Sequence, residues 1–374
     1  MLDPEISCEE AVAQLAAFDS IIDVRSASEF ADDHVPGAIS CPVLDDAERA
    51  RIGTLHKTES AFAAKRAGAA LVARNIARHL EGEFATKPRS WRPLVYCWRG
   101  GQRSSALVHV LSAIGWPARQ LKGGYRAFRR QVVADRESLP QRLRLRIVCG
   151  PTGSGKSRLL RQLASCGAQV LDLEAIAQHR GSVLGALPET PQPSQKSFET
   201  LLWQALRSYD PGRPVFVESE SRKVGQLRLP EALIRHMRAA HGLRLCLPHD
   251  ARVRLLREEY AHYEVDVPAL LQQLDCLVAL HGHERIGQWK RLASEQRFTE
   301  VVRCLLDEHY DPAYERSISR NFPHLGAAAD VMVDDESEAA FARAAAALVT
   351  AEAADDASPS PTAAALGNPG RAPA

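Results

Sequence analysis

No two cysteines in this chain form a Cys-x-x-Cys pair, and the eight that occur (8, 41, 97, 149, 166, 246, 276 and 304) show no metal-ligand spacing. That absence argues against both a zinc site and a disulfide framework, so a reducing cytoplasm is the expected setting. No uncharged run is long enough to span a bilayer. The start of the chain, with Asp3, Glu5, Glu9 and Glu10, also lacks the basic residues and apolar stretch of a signal peptide. A soluble protein without a membrane partner is expected. Charge of one sign is missing too: 47 Lys and Arg balance 46 Asp and Glu. Nucleic acid could therefore be bound only through a local patch. There is no internal repeat of useful length, and 374 residues are more than one hydrophobic core usually serves.

What is present reads as two α/β domains. Ser20 to Val24 looks like a buried strand, His34-Val35-Pro36-Gly37 like a turn, and roughly Glu59 to His79 like a helix. Pro93 to Tyr96 is strand-like and leads into a helix through Ser112. Leu121 to Phe128 then holds a glycine pair suited to a tight turn. The first domain is placed at residues 1–136 and the second at 137–350. Residues 351–374, dominated by Ala, Pro, Ser and Gly, are expected to be disordered. Strand candidates ending at Cys149, Leu171, Val217 and Val333, alternating with helices, predict a parallel sheet in the second domain.

Two loops carry the chemistry. Cys97-Trp98-Arg99-Gly100-Gly101-Gln102-Arg103-Ser104 lies between a strand and a helix. Backbone N–H groups, a helix N-terminus and nearby arginines all favour a thiolate. Cys97 is the expected nucleophile and Arg103 its anion-binding partner. Arg99, Gly100, Gly101, Gln102 and Ser104 complete the expected cradle. The other cysteines read as small buried hydrophobes. Gly150-Pro151-Thr152-Gly153-Ser154-Gly155-Lys156-Ser157 fits GxxxxGK[ST] without a mismatch. Backbone N–H groups of such a loop reach phosphate oxygens, Lys156 supplies charge, and Ser157 suits Mg²⁺. Among the acids ending nearby strands, Glu218 is the candidate for the metal side, Asp172 for positioning substrate, and Glu220 a further acidic candidate. The motif reads phosphate oxygens and leaves open whether they belong to a nucleotide or to another diphosphate ester.

Several stretches of residues 1–136 resemble the rhodanese family of sulfur-transfer domains. Ile22-Asp23-Val24-Arg25, Glu29-Phe30 and His34-Val35-Pro36-Gly37-Ala38 match its patterns, with Asp33 in place of a usual glycine. Leu121 to Phe128 matches its closing LxGGxxxW, with Phe128 for tryptophan. Asp23, Arg25, His34 and Gly37 are expected to build turns and ion pairs. Five residues separate Cys97 from Arg103, one more than is common in sulfur-only rhodaneses. This is also the spacing of cysteine-dependent phosphatases, whose wider loop surrounds a tetrahedral phosphate. A donor such as selenophosphate suits both features, offering selenium to a thiolate and phosphoryl oxygens to a cradle.

Across nearly the whole chain the combination resembles the tRNA 2-selenouridine synthase family. Tyr96 to Ser104, Lys122-Gly123-Gly124-Tyr125, Gly150 to Ser157, Asp172-Leu173-Glu174 with His179 to Ser182, and Glu218-Ser219-Glu220-Ser221-Arg222 carry the likeness. The family usually has Glu-Asp-Glu-Ser at 218–221. The resemblance implies replacement of sulfur by selenium at C2 of wobble 2-thiouridine in tRNA, with selenophosphate as donor and a selenophosphate-producing enzyme as a possible partner. It also implies geranylation of that sulfur from geranyl diphosphate, which makes sulfur a better leaving group. No tightly bound cofactor is expected. Arg126, Arg129 and Arg130, in the arginine-rich stretch between the domains, are the expected tRNA contacts. Trp98 is poised either to stack on the uracil or to pack under its loop. The residues alone leave open a rhodanese-type sulfurtransferase or a cysteine phosphatase fused to a P-loop kinase, and a non-catalytic docking module against which Cys97 itself argues.

Overall fold

A strand that returns to its sheet through a helix must pair in parallel, and the alternation along this chain imposes that twice. The computed structural model describes residues 3–182, 184–187, 190–322 and 328–357. Strands β1 (Glu5–Ile6), β2 (Ser20–Asp23), β3 (Ala38–Ser40), β4 (Pro93–Tyr96) and β5 (Arg119–Leu121) form the first sheet, in the order β1-β5-β4-β2-β3 and parallel throughout. β4 is central, and all of its residues are buried. Its C-terminal end delivers Cys97, and the helix Gln102–Ile114 follows.

The second sheet repeats the plan. β6 (Arg144–Cys149), β7 (Gln169–Leu171) and β8 (Pro214–Glu218) precede a small antiparallel pair, β9 (Lys223–Val224) and β10 (Leu227–Arg228). β11 (His241–Cys246) and β12 (Ala329–Met332) complete the order β12-β11-β6-β8-β7, again all parallel. β6 is central and opens into the phosphate loop, so both anion loops occupy the C-terminal edge of a middle strand, where α/β folds place their ligands. The expected α/β architecture is the one the chain adopts, with the parallel sheet expected in the second half matched by a parallel sheet in the first. The helix Asp46–Thr58 was not anticipated from the sequence. It buries none of its residues and so carries no apolar stripe to announce it. The helix Glu338–Ala357 continues past residue 350. The rest of the expected disordered tail, 358–374, lies outside the described residues. No helix among the described residues is long and apolar enough to cross a membrane.

The arginine-rich stretch is a packed joint. Its helix, Gly124–Ser138, crosses the expected boundary at 136 and buries Tyr125, Phe128 and Val132. These join one apolar cluster with Leu94 and Tyr96 of the first sheet and Ile147, Trp203 and Val215 of the second half. Phe128 and Trp203 meet edge to face with centroids 5.4 Å apart. Beside them Asp33, 1% exposed, accepts hydrogen bonds from Tyr125 Oη (2.8 Å) and from Thr200 Oγ1 of the second half (2.9 Å). Burial pushes the Asp33 carboxyl upward, although both hydrogen bonds and nearby Arg129 favour its charged form.

Removing the Asp33 side chain would leave the Tyr125 and Thr200 hydroxyls without their acceptor. Asp33→Ala should cost about 2–4 kcal/mol, measured by denaturant unfolding. Unchanged stability would show that the joint rests on its apolar contacts alone.

Candidate active site

The cysteine loop is shaped by its neighbour in space. Tyr125 N–H donates to the Cys97 carbonyl (2.8 Å) and Arg126 N–H to the Trp98 carbonyl (3.0 Å), clasping the loop to the joint helix. The approach is so close that a Cβ on Gly124, at φ +56°, would lie 2.2 Å from the Cys97 carbonyl oxygen. The glycine pair therefore serves the cysteine loop directly.

Cys97 Sγ accepts hydrogen bonds from Ser104 Oγ (3.2 Å) and Gly101 N–H (3.3 Å). Gln120 Nε2, from β5, donates to Ser104 Oγ (3.0 Å), leaving the serine proton for Sγ or for the Gly101 carbonyl (3.1 Å). Burial is the largest single influence on this thiol and opposes ionisation. The Ser104 hydroxyl and the N–H groups of Ser104, Arg99 and Gly101 together outweigh it, so the pKa falls below the ordinary value. The contrast with other cysteines is decisive: burial pushes Cys8 up to about 11 and Cys41 up to about 12. Only a surround of donors separates Cys97 from them. Arg103 stands on the first turn of the following helix, and its Nη1 donates to Glu29 Oε2 (3.0 Å). Arg99 and Gln102 are exposed on the rim. Trp98, 38% exposed, rests against Tyr125 with centroids 5.3 Å apart. Asp23 and Arg25 form a buried ion pair (2.7 Å), as their expected building role requires.

Helical spacing sorts the three arginines proposed for tRNA. Arg126 and Arg130 are exposed. Arg129 is a correction: it turns to the joint, where its guanidinium pairs with Glu199 and donates to the Lys196 carbonyl (3.2 Å). Residues four apart share a helix face, whereas residue 129 lies on the side facing the second domain.

In the phosphate loop, Lys156 Nζ donates to the Gly150 carbonyl (2.8 Å). Ser154 Oγ is buried and has no hydrogen-bond partner among the described residues. Gly155, at φ +84°, has no room for a side chain, because a Cβ would lie 2.3 Å from the Phe341 ring. The open cavity over the loop is lined by Lys156, Ser157, Arg161, Arg180, Glu174 and Glu220 among others. Here the expected division of the acids is revised. Glu174 Oε2 accepts from Ser157 Oγ (2.9 Å), while Glu218 Oε1 accepts from the Glu174 N–H (2.8 Å) and so stands one step behind. Asp172 Oδ1 accepts from Ala175 N–H (2.8 Å) and caps the short helix Leu173–Ala177. Burial first, then the neighbouring carboxylates, pushes Glu218 well above the usual range. Burial and the charge of Glu174 push Glu220 up to about 8, against the pull of Lys156. Among the described residues, none of the cysteine loop lines this cavity.

Sequence reasoning missed Glu29, Gln120 and Glu174 as site residues. Gln120 carried a signal, being a polar residue inside the buried part of β5, 6% exposed. Glu174 follows β7 in company with Asp172, and nothing in the linear order shows that it turns to Ser157 while Asp172 caps the helix Leu173–Ala177.

Two pH experiments follow from these environments. Alkylation of Cys97 should reach its plateau at a lower pH than that of an ordinary thiol, and Ser104→Ala should move the midpoint upward. An unmoved midpoint would remove Ser104 from the thiolate's support. Glu220 keeps its proton up to about 8 when folded, against 4.5 ordinarily, so the folded state binds more protons between these values and loses stability as pH rises through them. The melting temperature should fall between about pH 5 and pH 8, and Glu220→Gln should flatten that slope. An identical slope in the variant would place the proton elsewhere.

Comparison with known proteins agrees with this geometry. Residues 7–131 match the rhodanese-like domain model, and residues 143–273 match the model of the tRNA 2-selenouridine synthase AAA domain. The tRNA 2-selenouridine synthase of Nitrosomonas europaea is 34% identical over 264 residues, covering 70% of this chain and 68% of the relative. That of Sulfurovum sp. is 30% identical over 332 residues, covering 80% and 89%. That of Alcanivorax borkumensis is 32% identical over 332 residues, covering 80% and 90%. The two model matches fall on the two sheets in chain order, giving a rhodanese-like domain followed by a P-loop domain. With both anion loops in their expected places and relatives matched along most of their length, the chain belongs to the tRNA 2-selenouridine synthase family.

Proposed function

We propose that this chain replaces sulfur with selenium in the wobble 2-thiouridine of tRNA, with selenophosphate as the donor and S-geranyl-2-thiouridine as the intermediate. The observation that carries the reading is the Cys97 thiol, held toward thiolate by Ser104 and Gly101 inside an anion loop while burial pushes other cysteines the opposite way. A second anion loop in the same chain supports a second phosphate-bearing substrate.

In the first reaction the 2-thiouridine sulfur attacks C1 of geranyl diphosphate. The C1–O bond breaks toward the diphosphate, and the base loses its N3 proton. Lys156 and the loop N–H groups receive the departing charge. A Mg²⁺ ion accompanying the diphosphate would be held by Ser157 and would add positive charge beside the leaving group. No group of three or more His, Cys, Asp or Glu among the described residues is arranged to hold a metal by itself. In the second reaction selenium leaves phosphorus as selenide, water supplying the new P–O bond of phosphate. Selenide then displaces geranyl thiol from C2. Cys97 and Arg103 handle selenophosphate in this scheme, and no oxidant or reductant is required. Exposed Arg126 and Arg130 suit the tRNA backbone, and the exposed face of Trp98 suits an unstacked base.

A 2-thiouridine anticodon stem-loop incubated with both donors, each omitted in turn, tests the order by nucleoside mass. Cys97→Ser should lower selenation by about a hundredfold or more while leaving geranylation, and Lys156→Ala should lower geranylation of the unmodified stem-loop while leaving selenation of a stem-loop that is already S-geranylated. Loss of both reactions in Cys97→Ser would sink this division of labour. Phosphate release from an aryl phosphate without nucleoside conversion would instead favour the phosphatase reading.

A further inference from the structure

Beside the phosphate loop lies a second cavity of different chemistry. Thr152, Leu256, Tyr260 and Tyr310 line both cavities, so the two adjoin along that wall. The second continues past Leu184, Tyr263, Leu270, Phe298, Val301 and Leu305, and its lining is overwhelmingly apolar. The polar groups of Arg257, Tyr260 and Tyr263 are engaged by protein partners. Arg257 donates to Glu264 (2.8 Å) and Thr299 (3.0 Å), Tyr260 Oη shares a hydrogen bond with Ser182 Oγ (3.3 Å), and Tyr263 Oη donates to the Leu184 carbonyl (3.4 Å). A single π turn, Leu306–Tyr310, brings Tyr310 to the boundary between the cavities.

This wall discriminates between two kinds of phosphate ester. A nucleobase presents donors and acceptors along its edge, and leaving them unpaired against methyls and ring faces is costly. A branched hydrocarbon asks only for apolar surface, which aromatic rings and leucines supply. We propose that this cavity takes the hydrocarbon tail of a prenyl diphosphate whose diphosphate rests on the phosphate loop, with Tyr260 and Tyr310 at the junction where C1 lies. The assignment rests on the prenyl-donor reading of the loop given above. Arg180, which lines the phosphate cavity, sits over the Tyr260 ring at 4.7 Å and brings a cation to the leaving-group side of that junction. As the C1–O bond breaks, its electron pair goes to the diphosphate, the thiouridine sulfur supplies the new pair to C1, and the ring faces stabilise the cationic character between them.

Calorimetric titration of the full chain with geranyl diphosphate, inorganic pyrophosphate and ATP tests the site. Geranyl diphosphate should bind about a hundredfold more tightly than pyrophosphate, and ATP no more tightly than pyrophosphate. Val302→Trp, at a partly exposed lining position, should weaken geranyl diphosphate at least about tenfold while pyrophosphate stays within about twofold. Phe298→Ala, which enlarges the cavity, should shift preference toward farnesyl diphosphate. Should Val302→Trp melt early, Phe298→Ala carries the test alone. Equal binding of geranyl diphosphate and pyrophosphate, tighter binding of ATP, or unchanged tail preference in a folded variant would overturn the assignment. The two readings fail differently. A wild-type chain that geranylates RNA while folded variants retain its donor preference refutes only the tail site, whereas absence of geranylation with active protein refutes the reaction.

Discussion

The backbone bond from Tyr125 N–H to the Cys97 carbonyl is the contact on which the rest of the molecule turns. It fixes the nucleophile's loop from outside, through residues that begin the joint helix. The same Tyr125 reaches Asp33 through its hydroxyl, and Asp33 reaches Thr200 across the domain boundary. Three consecutive short links thus connect the sulfur-bearing loop to a helix of the second half. Arg25 over the Tyr125 ring, 4.0 Å from its centroid, holds that tyrosine in place from the first sheet.

Within this frame the two anion loops solve one problem by different means. The cysteine loop surrounds a buried sulfur with donors, which overcome the cost of desolvating a thiolate. The phosphate loop leaves its donors facing a cavity and places acids behind them, with Glu174 on Ser157 and Glu218 behind Glu174. The first arrangement favours a thiolate. The second prepares a vessel for charge that arrives with its own ligand.

Features encoded locally were legible in the sequence. The apolar run of β4 followed by Cys97, and that of β6 followed by the phosphate loop, announced both strand and site, because strand burial and loop chemistry occupy adjacent residues. What was hidden depended on proximity between distant segments. Asp33 and Thr200 lie 167 positions apart, and no periodicity joins them. The departure from glycine at position 33 was visible as a substitution and became intelligible only as the acceptor of a cross-domain bond. Arg129 looked like its neighbours in a basic run. Its partner Glu199 lies on another helix and gives no sign of the pairing in the linear order.

A substrate that is itself a polyanion poses a hazard to any protein with exposed phosphate sites, since its backbone can occupy them unproductively. The carboxylates gathered around Lys156 bear on that hazard through their protons, because Glu220 keeps its proton up to about 8 and adds no negative charge until it is lost. While that proton is held, a phosphodiester at the cavity meets the Lys156 cation with less opposing charge than the number of acids implies; once it is lost, Glu220 opposes the approach. The acidic surround therefore makes the charge of this cavity depend on pH, turning more negative as Glu220 gives up its proton.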